Sequence, residues 1–211
     1  IKTEDTLIRT QKKLSMVIVN KIIYFNNSIG DISAVDIASG ELLWQSPTQS
    51  TLVYDEGFFL ENSDIIADKD TLYFSNNKNQ FFSIDINTGI LNWQQKINSN
   101  SRSTLIDNYI FTVSIEGYLI IIEKVSGNII RSTDIFKDFK PKKRSKIKPV
   151  GFIVGLYNIY LTTDNGKLLI IDTVTGVTSS VIKIDNDKIS RPFVLNKNLY
   201  IIKDSSIIKL N

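Results

Sequence analysis

One stretch of this chain decides its fold, and at residues 34–44 it reads AVDIASGELLW. The pattern returns at residues 83–93 as SIDINTGILNW, and in reduced form at residues 121–127 as IIEKVSG and at residues 170–176 as IIDTVTG. Its copies recur about every 40–50 residues with only strand-like segments between them, which is typical of propeller blades. The repeat therefore predicts an all-β fold, a β-propeller of four-stranded blades.

Each copy reads as short strands separated by turns rich in Asn, Asp and Gly, which tolerate the positive φ that tight hairpins need. Apolar runs at residues 119–122 and 168–171 fit strands that are covered on both faces, as in a blade between two neighbours. A fifth copy begins at Pro192 and stops at Asn211, before a turn motif of its own. We therefore expect about four to five blades within a single, partial propeller domain, residues 1–211.

The residues of the repeated motif have a mechanical interpretation. The Asp accepts backbone N–H bonds across the turn, the Ser or Thr adds a local hydrogen bond, and the Gly supplies a left-handed residue. The Trp on the following strand is large enough to be buried in the gap between neighbouring blades. Arg131 and Ser180 stand where the third and fourth copies would place this Trp. The motif residues with a predicted structural role are Asp36, Gly40, Trp44, Asp85, Gly89, Trp93, Gly127, Asp172 and Gly176.

Composition argues against most enzymatic functions. The chain contains no Cys and no His, which excludes disulfides, thiolate metal sites, Cys nucleophiles and His general bases among these residues. The net charge is only +3, which does not by itself indicate a nucleic-acid partner. The best-placed carboxylates are already explained by the turn motif. We therefore predict no catalytic site, no bound cofactor and no metal.

The motif A-x-D-x-x-[ST]-G-x-x-x-W resembles the docking repeat of quinoprotein-like (PQQ-type) propellers. The order of blades is similar to that of the C-terminal part of the BamB family of outer-membrane assembly lipoproteins, with a long insert at residues 46–63 and a short blade ending near Arg131. The resemblance implies that the blades belong to an eight-bladed propeller, at the upper end of the usual range. It also implies a lipid anchor, absent from this chain, that holds the protein at the periplasmic side of the bacterial outer membrane.

The resemblance further implies a function without catalysis. The protein would be a scaffold that docks on a BamA-like outer-membrane assembly protein, with unfolded outer-membrane proteins as a further partner and no nucleic acid. The alternative within the same superfamily is a quinone-dependent dehydrogenase or a ligand-sensing propeller. Such a dehydrogenase uses a catalytic Asp, a calcium site and usually a vicinal disulfide, and this chain has no cysteine. An unrelated propeller adhesin is a third possibility that the sequence leaves open.

Two segments are candidates for the partner surface. Leu7, Ile8 and Arg9 match in part the Leu-x-Leu-Arg loop with which the family docks on BamA, because Ile8 and Arg9 align with its last two positions. The alternative for these residues is an ordinary strand or a frayed terminus. The acidic residues Glu61 and Asp64, at the end of the insert, are expected near the same surface. The alternative here is a loop that folds its aromatic residues, Tyr54, Phe58 and Phe59, inward.

A basic run lies between Lys137 and Lys148, with seven bases and one acid. Such runs are usually solvated linkers, and we favour that interpretation here. The second interpretation is contact with anionic lipid headgroups or with an acidic partner. Nucleic acid is disfavoured because Phe136 and Phe139 do not form a stacking platform with regular spacing.

Overall fold

The computed structural model describes residues 15–27, 30–48 and 61–210. Their strands form five antiparallel sheets, four with four strands and one with three, so the predicted all-β propeller class is confirmed. The helix in the described ranges is the single turn α1 (Pro141–Arg144), and no described helix has the length and apolar character needed to cross a membrane. The chain divides into two compact units, Ile1–Ser103 and Thr104–Asn211.

The first unit contains two blades in which neighbouring strands are consecutive in sequence. The strands of blade 1 are β1 (Met16–Val19), β2 (Ile22–Asn26), β3 (Ile32–Asp36) and β4 (Leu42–Ser46). The strands of blade 2 are β5 (Ile66–Ala67), β6 (Thr71–Asn76), β7 (Gln80–Asp85) and β8 (Leu91–Gln95). One buried cluster joins the two blades, and it includes Tyr24, Leu72 and Phe74.

The second unit contains two complete blades and one sheet of three strands. Blade 3 has β9 (Thr104–Ile106), β10 (Tyr109–Val113), β11 (Tyr118–Glu123) and β12 (Ile129–Asp134). Blade 4 follows α1 and has β13 (Pro149–Val154), β14 (Asn158–Thr163), β15 (Lys167–Asp172) and β16 (Thr178–Lys183). The three-stranded sheet has β17 (Phe193–Leu195), β18 (Asn198–Lys203) and β19 (Ser206–Leu210).

The inner strands of the blades are buried on both faces, as their uninterrupted apolar runs predict. In β11 the four residues at 119–122 are all buried, whereas the outer strand β12 has none. A second buried cluster therefore joins blades 3 and 4 within their own unit, and it includes Phe111, Phe136 and Phe152. Burial of this apolar area is the main force that holds each unit together.

Every complete blade carries a β-bulge at the same place, immediately before the acidic residue of the turn. The register between the third and fourth strands shifts at Ala34/Val35, Ser83/Ile84, Ile121/Ile122 and Ile170/Ile171. A bulge increases local twist and redirects side chains. The residues that pair immediately beyond the bulge are Trp44, Trp93, Arg131 and Ser180. Arg131 and Ser180 therefore occupy the Trp position, in agreement with the sequence alignment of the repeats.

Candidate functional site

The turn of blade 1 is held by one carboxylate. Oδ1 of Asp36 accepts hydrogen bonds from the backbone N–H of Ala38 at 2.9 Å, and from the N–H and hydroxyl of Ser39 at 2.8 and 3.0 Å. The N–H of Gly40 closes the turn by donating to the carbonyl of Asp36 at 2.9 Å. Because these donors favour the charged form, the pKa of Asp36 lies below its ordinary value, with the Ser39 N–H the largest cause.

Blades 2 and 4 repeat this turn. Asp85 accepts from the N–H and the hydroxyl of Thr88, both at 2.8 Å, and Asp172 accepts from the N–H and hydroxyl of Thr175 at 2.6 and 2.8 Å. The pKa of each carboxyl is lowered, chiefly by the Thr88 hydroxyl for Asp85 and by the Thr175 N–H for Asp172. These carboxylates are therefore engaged within their own turns, as the structural interpretation of the motif expects.

Blade 3 keeps the turn although Glu123 replaces the Asp. The N–H of Gly127 donates to the carbonyl of Glu123 at 2.9 Å, as in the other blades. The longer side chain accepts the hydroxyl of Ser126 at 2.5 Å. All four turn glycines have φ between +72° and +74°, a left-handed conformation that glycine adopts without strain.

Trp44 docks blade 1 onto the turn of blade 2. Its Nε1 donates to the carbonyl of Ile86 at 3.2 Å, and its ring covers Gly89 so closely that a Cβ there would lie 2.5 Å from Trp44 Cε3. Two residues further along β4, the hydroxyl of Ser46 donates to the carbonyl of Gly89. The motif residues of one blade thus form the seat for the outer strand of the preceding one.

The two tryptophans are half-buried, so the expectation that they are buried between neighbouring blades is met only in part. Trp44 and Trp93 lie on β4 and β8, the last strands of their sheets. Trp93 nevertheless stacks on Phe81 with ring centroids 6.0 Å apart, and Trp44 lies 5.8 Å from the ring of Tyr24. Each indole therefore packs against an aromatic ring of its own blade.

Arg131 takes the part of the missing Trp in blade 3, which the sequence interpretation did not foresee. Its Nη2 donates to the carbonyl of Thr173 at 3.0 Å and its Nη1 to the carbonyl of Val174. The guanidinium also contributes, as a smaller cause, to the lowered pKa of Asp172. In the sequence, the only indication of this role is that Arg131 stands at the Trp position of the repeat. The long Arg side chain carries N–H donors that can reach the backbone of the next blade.

The predicted partner-binding residues are described only in part. Leu7, Ile8 and Arg9 lie outside the described residues. Glu61 is exposed, and Asp64 is half-buried just before β5. The N–H of Glu61 donates to Asn77 Oδ1 and the N–H of Asn77 donates to the carbonyl of Glu61, both at 3.0 Å. The Glu61 carboxylate accepts a hydrogen bond from Asn100 Nδ2 at 2.6 Å. These bonds fix Glu61 on the hairpin between β6 and β7.

The basic run is anchored to the second unit at more points than a solvated linker would be. We define the basic segment as residues 137–148, between β12 and β13. Phe136 at its start and Ile147 near its end belong to the core of the second unit. Arg144 pairs with Asp134, with Nη1 and Oδ2 at 2.6 Å, and its guanidinium lies 5.8 Å from the ring centroid of Tyr118. The favoured linker interpretation is therefore incomplete, because the backbone of this segment is anchored.

Within the described ranges, no three acidic, Cys or His side chains come together as a candidate metal site.

The sequence profile of the outer membrane protein assembly factor BamB matches residues 3–133, more than half of the chain. The chain belongs to the BamB family. The resemblance of the repeats to this family is thus confirmed. No curated protein sequence matches the chain.

Solved structures of proteins with different functions are similar to the chain. BamB from Moraxella catarrhalis has a TM-score of 0.58 at 14% identity, with 92% of this chain and 70% of that one covered. The quinohemoprotein alcohol dehydrogenase from Comamonas testosteroni has a TM-score of 0.62 at 13% identity, and the match covers 92% of this chain and 38% of that one. The Cps50 (Swd1) propeller domain from Myceliophteria thermophila has a TM-score of 0.67 at 10% identity, and the match covers 92% of this chain and 62% of that one. The chain thus spans less than two thirds of the latter two, and identities this low show the fold alone.

Proposed function

We propose that this BamB-family chain is a non-catalytic scaffold of the outer-membrane protein assembly machinery, at the periplasmic side of the bacterial outer membrane. The observation that carries the proposal is the family match over residues 3–133, which covers the first two blades and nearly all of the third. The polar groups of the repeated motif are hydrogen-bonded to backbone groups within the blades. We therefore place the function on the surface of the blades.

Binding rather than catalysis is also favoured by the chemistry of the chain. General acid–base work near neutral pH needs a group that titrates there, and the chain has no His and no Cys. The turn carboxylates Asp36, Asp85 and Asp172 have lowered pKa values, so they stay ionised. The alcohol dehydrogenase shares a fold with this chain at 13% identity, which does not transfer its activity.

The proposed docking surface combines Leu7, Ile8 and Arg9 with Glu61 and Asp64, against a BamA-like subunit. An apolar side chain that enters a pocket beside an Arg is a typical hot-spot composition. Glu61 suits a place at the rim because Asn77 and Asn100 already hold it in position. A side chain that is fixed before binding loses less entropy when the partner arrives.

Unfolded outer-membrane proteins are proposed as a second class of partner. An extended chain adds to an exposed sheet edge through main-chain hydrogen bonds. In the three-stranded sheet of the second unit, β19 is the last strand in the order β17-β18-β19. Its Ile207 is 68% exposed, which leaves apolar surface beside that edge for an incoming strand.

Affinity purification from the protein's own cells tests the proposal. A tagged full-length protein should copurify with a barrel-assembly subunit of the BamA type from gently solubilised envelopes. A preparation that instead reduces an electron acceptor with an alcohol or a sugar, after addition of a quinone cofactor, would favour the dehydrogenase alternative.

A further inference from the structure

We propose that the basic segment, residues 137–148, binds the surface of an anionic lipid bilayer. The proposal goes beyond the scaffold function, since it concerns a different part of the chain from the docking surface. It is carried by three observations on the second unit: an anchored backbone, a set of exposed lysines, and aromatic side chains that face the core.

The anchoring comes from both ends and from the middle. The ring of Phe136 sits directly on Gly117, where a Cβ would lie 2.1 Å from Phe136 Cδ2. At the other end, the N–H of Lys148 donates to Asp164 Oδ1 at 2.8 Å, and the carbonyl of Lys148 accepts the N–H of Asp164 at 2.9 Å. In the middle, Arg144 is held by Asp134. The backbone of the segment is therefore held in place, and its charged side chains extend from it.

The lysines of the segment are left to solvent. The one Arg is used internally, whereas the exposed side chains are Lys137, Lys140, Lys142, Lys143, Lys146 and Lys148. The acids near them are Asp138, Glu116 and Asp164, so the six exposed lysines outnumber these acids two to one. A group of four to eight bases on one segment is typical of attraction to anionic lipid surfaces.

The residue types favour a lipid surface over other anions. Lysine is a flexible point charge without the planar fork that reads a carboxylate or phosphate in a fixed geometry. A bilayer surface with many anionic headgroups attracts lysines by charge and needs no fixed bonding geometry. Nucleic-acid binding to single strands would use stacking on aromatic faces, but Phe136 is buried and Phe139 packs edge-to-face against it with centroids 5.7 Å apart.

Flotation with lipid vesicles tests the proposal. The 211-residue protein is mixed with phosphatidylcholine vesicles, with or without phosphatidylglycerol, at about 0.1 M salt and at about 1 M, where the Debye length falls from about 10 Å to about 3 Å. We expect binding only to the anionic vesicles and only at the lower salt concentration. Equal binding to neutral vesicles, or binding that survives high salt, would overturn the proposal.

Two matched variants locate the effect. The first carries Lys137→Gln, Lys140→Gln, Lys143→Gln and Lys146→Gln, and the second replaces exposed lysines elsewhere through Lys69→Gln, Lys96→Gln, Lys183→Gln and Lys188→Gln. Each lysine near an anionic surface contributes about fivefold in affinity, so the first variant should lose at least a hundredfold and the second far less. Thermal melting checks that both remain folded. Similar losses in the two variants would mean that net charge alone acts, and tighter binding to duplex DNA than to the vesicles would assign the segment to nucleic acid.

Discussion

The guanidinium of Arg131 donates to the carbonyl of Thr173 at 3.0 Å, one residue after the turn carboxylate Asp172. The indole of Trp44 donates at 3.2 Å to the carbonyl of Ile86, which holds the same place in the turn of blade 2. The donors also share one register position on the outer strand. In these two pairs of blades the same turn carbonyl therefore accepts a hydrogen bond from the outer strand of the preceding blade, from an indole in one pair and from a guanidinium in the other.

Removal of the Arg131 donors should loosen the second unit. A hydrogen bond from a charged group contributes about 1.5–3 kcal/mol, so we expect Arg131→Ala to lower the free energy of unfolding by about that amount in urea titrations. Arg131→Lys should recover only part of it, because lysine lacks the fork that reaches two carbonyls. Arg102→Ala removes an exposed Arg and is the control. Equal stability of Arg131→Ala and the control would contradict this role.

Two turn glycines separate backbone strain from crowding. Gly40 and Gly89 have nearly the same φ, +74° and +72°, but a Cβ at Gly40 meets nothing within 4 Å. We expect Gly40→Ala to cost about 1–2 kcal/mol for its left-handed backbone. Gly89→Ala should cost a further 1–3 kcal/mol, roughly, because its Cβ would push into Trp44. Thermal unfolding of both variants measures the difference, and equal losses would show that Trp44 does not press on Gly89.

The turn carboxylates make stability depend on acid pH. The pKa of Asp85 is lowered, chiefly by the Thr88 hydroxyl, whereas in the unfolded chain it is about 3.9. Its contribution to folding is therefore complete above about pH 4 and is lost as the pH falls through the lower pKa of the folded state. We expect Asp85→Asn to be less stable than the parent protein near neutral pH, with the gap closing in acid. A gap that stays constant with pH in urea titrations would assign the effect to geometry instead of charge.

The sequence predicted the blades well because the turn motif is local. An Asp, a Ser or Thr and a Gly at fixed spacing determine their own hydrogen bonds, so the turns at Asp36, Asp85 and Asp172 follow directly from the pattern. The exposure of Trp44 was harder to foresee, since it depends on which strand ends the sheet. That is a property of pairing between strands.

A pattern of residue types did not predict the contacts of Arg131 or the anchoring of the basic segment. Arg131 departs from the motif in residue type, although its donors reach the backbone carbonyl that the indole reaches in blade 1. The many lysines of the basic segment suggest a solvated linker, but Phe136 just before it and Ile147 within it pack into the core. The docking residues Leu7, Ile8 and Arg9 stay a prediction, because they lie outside the described residues.

We propose that the chain works by docking on a BamA-like subunit, and a calorimetric titration against the periplasmic domains of that subunit tests this proposal most directly. We predict saturable binding of the full-length protein, weakened by ~2–4 kcal/mol in the double variant Ile8→Ala and Arg9→Ala, the scale of interface hot spots. Arg102→Ala, which removes an exposed Arg elsewhere, should bind as the parent does. Absence of binding by the parent protein, or unchanged affinity of a folded double variant, would contradict the account.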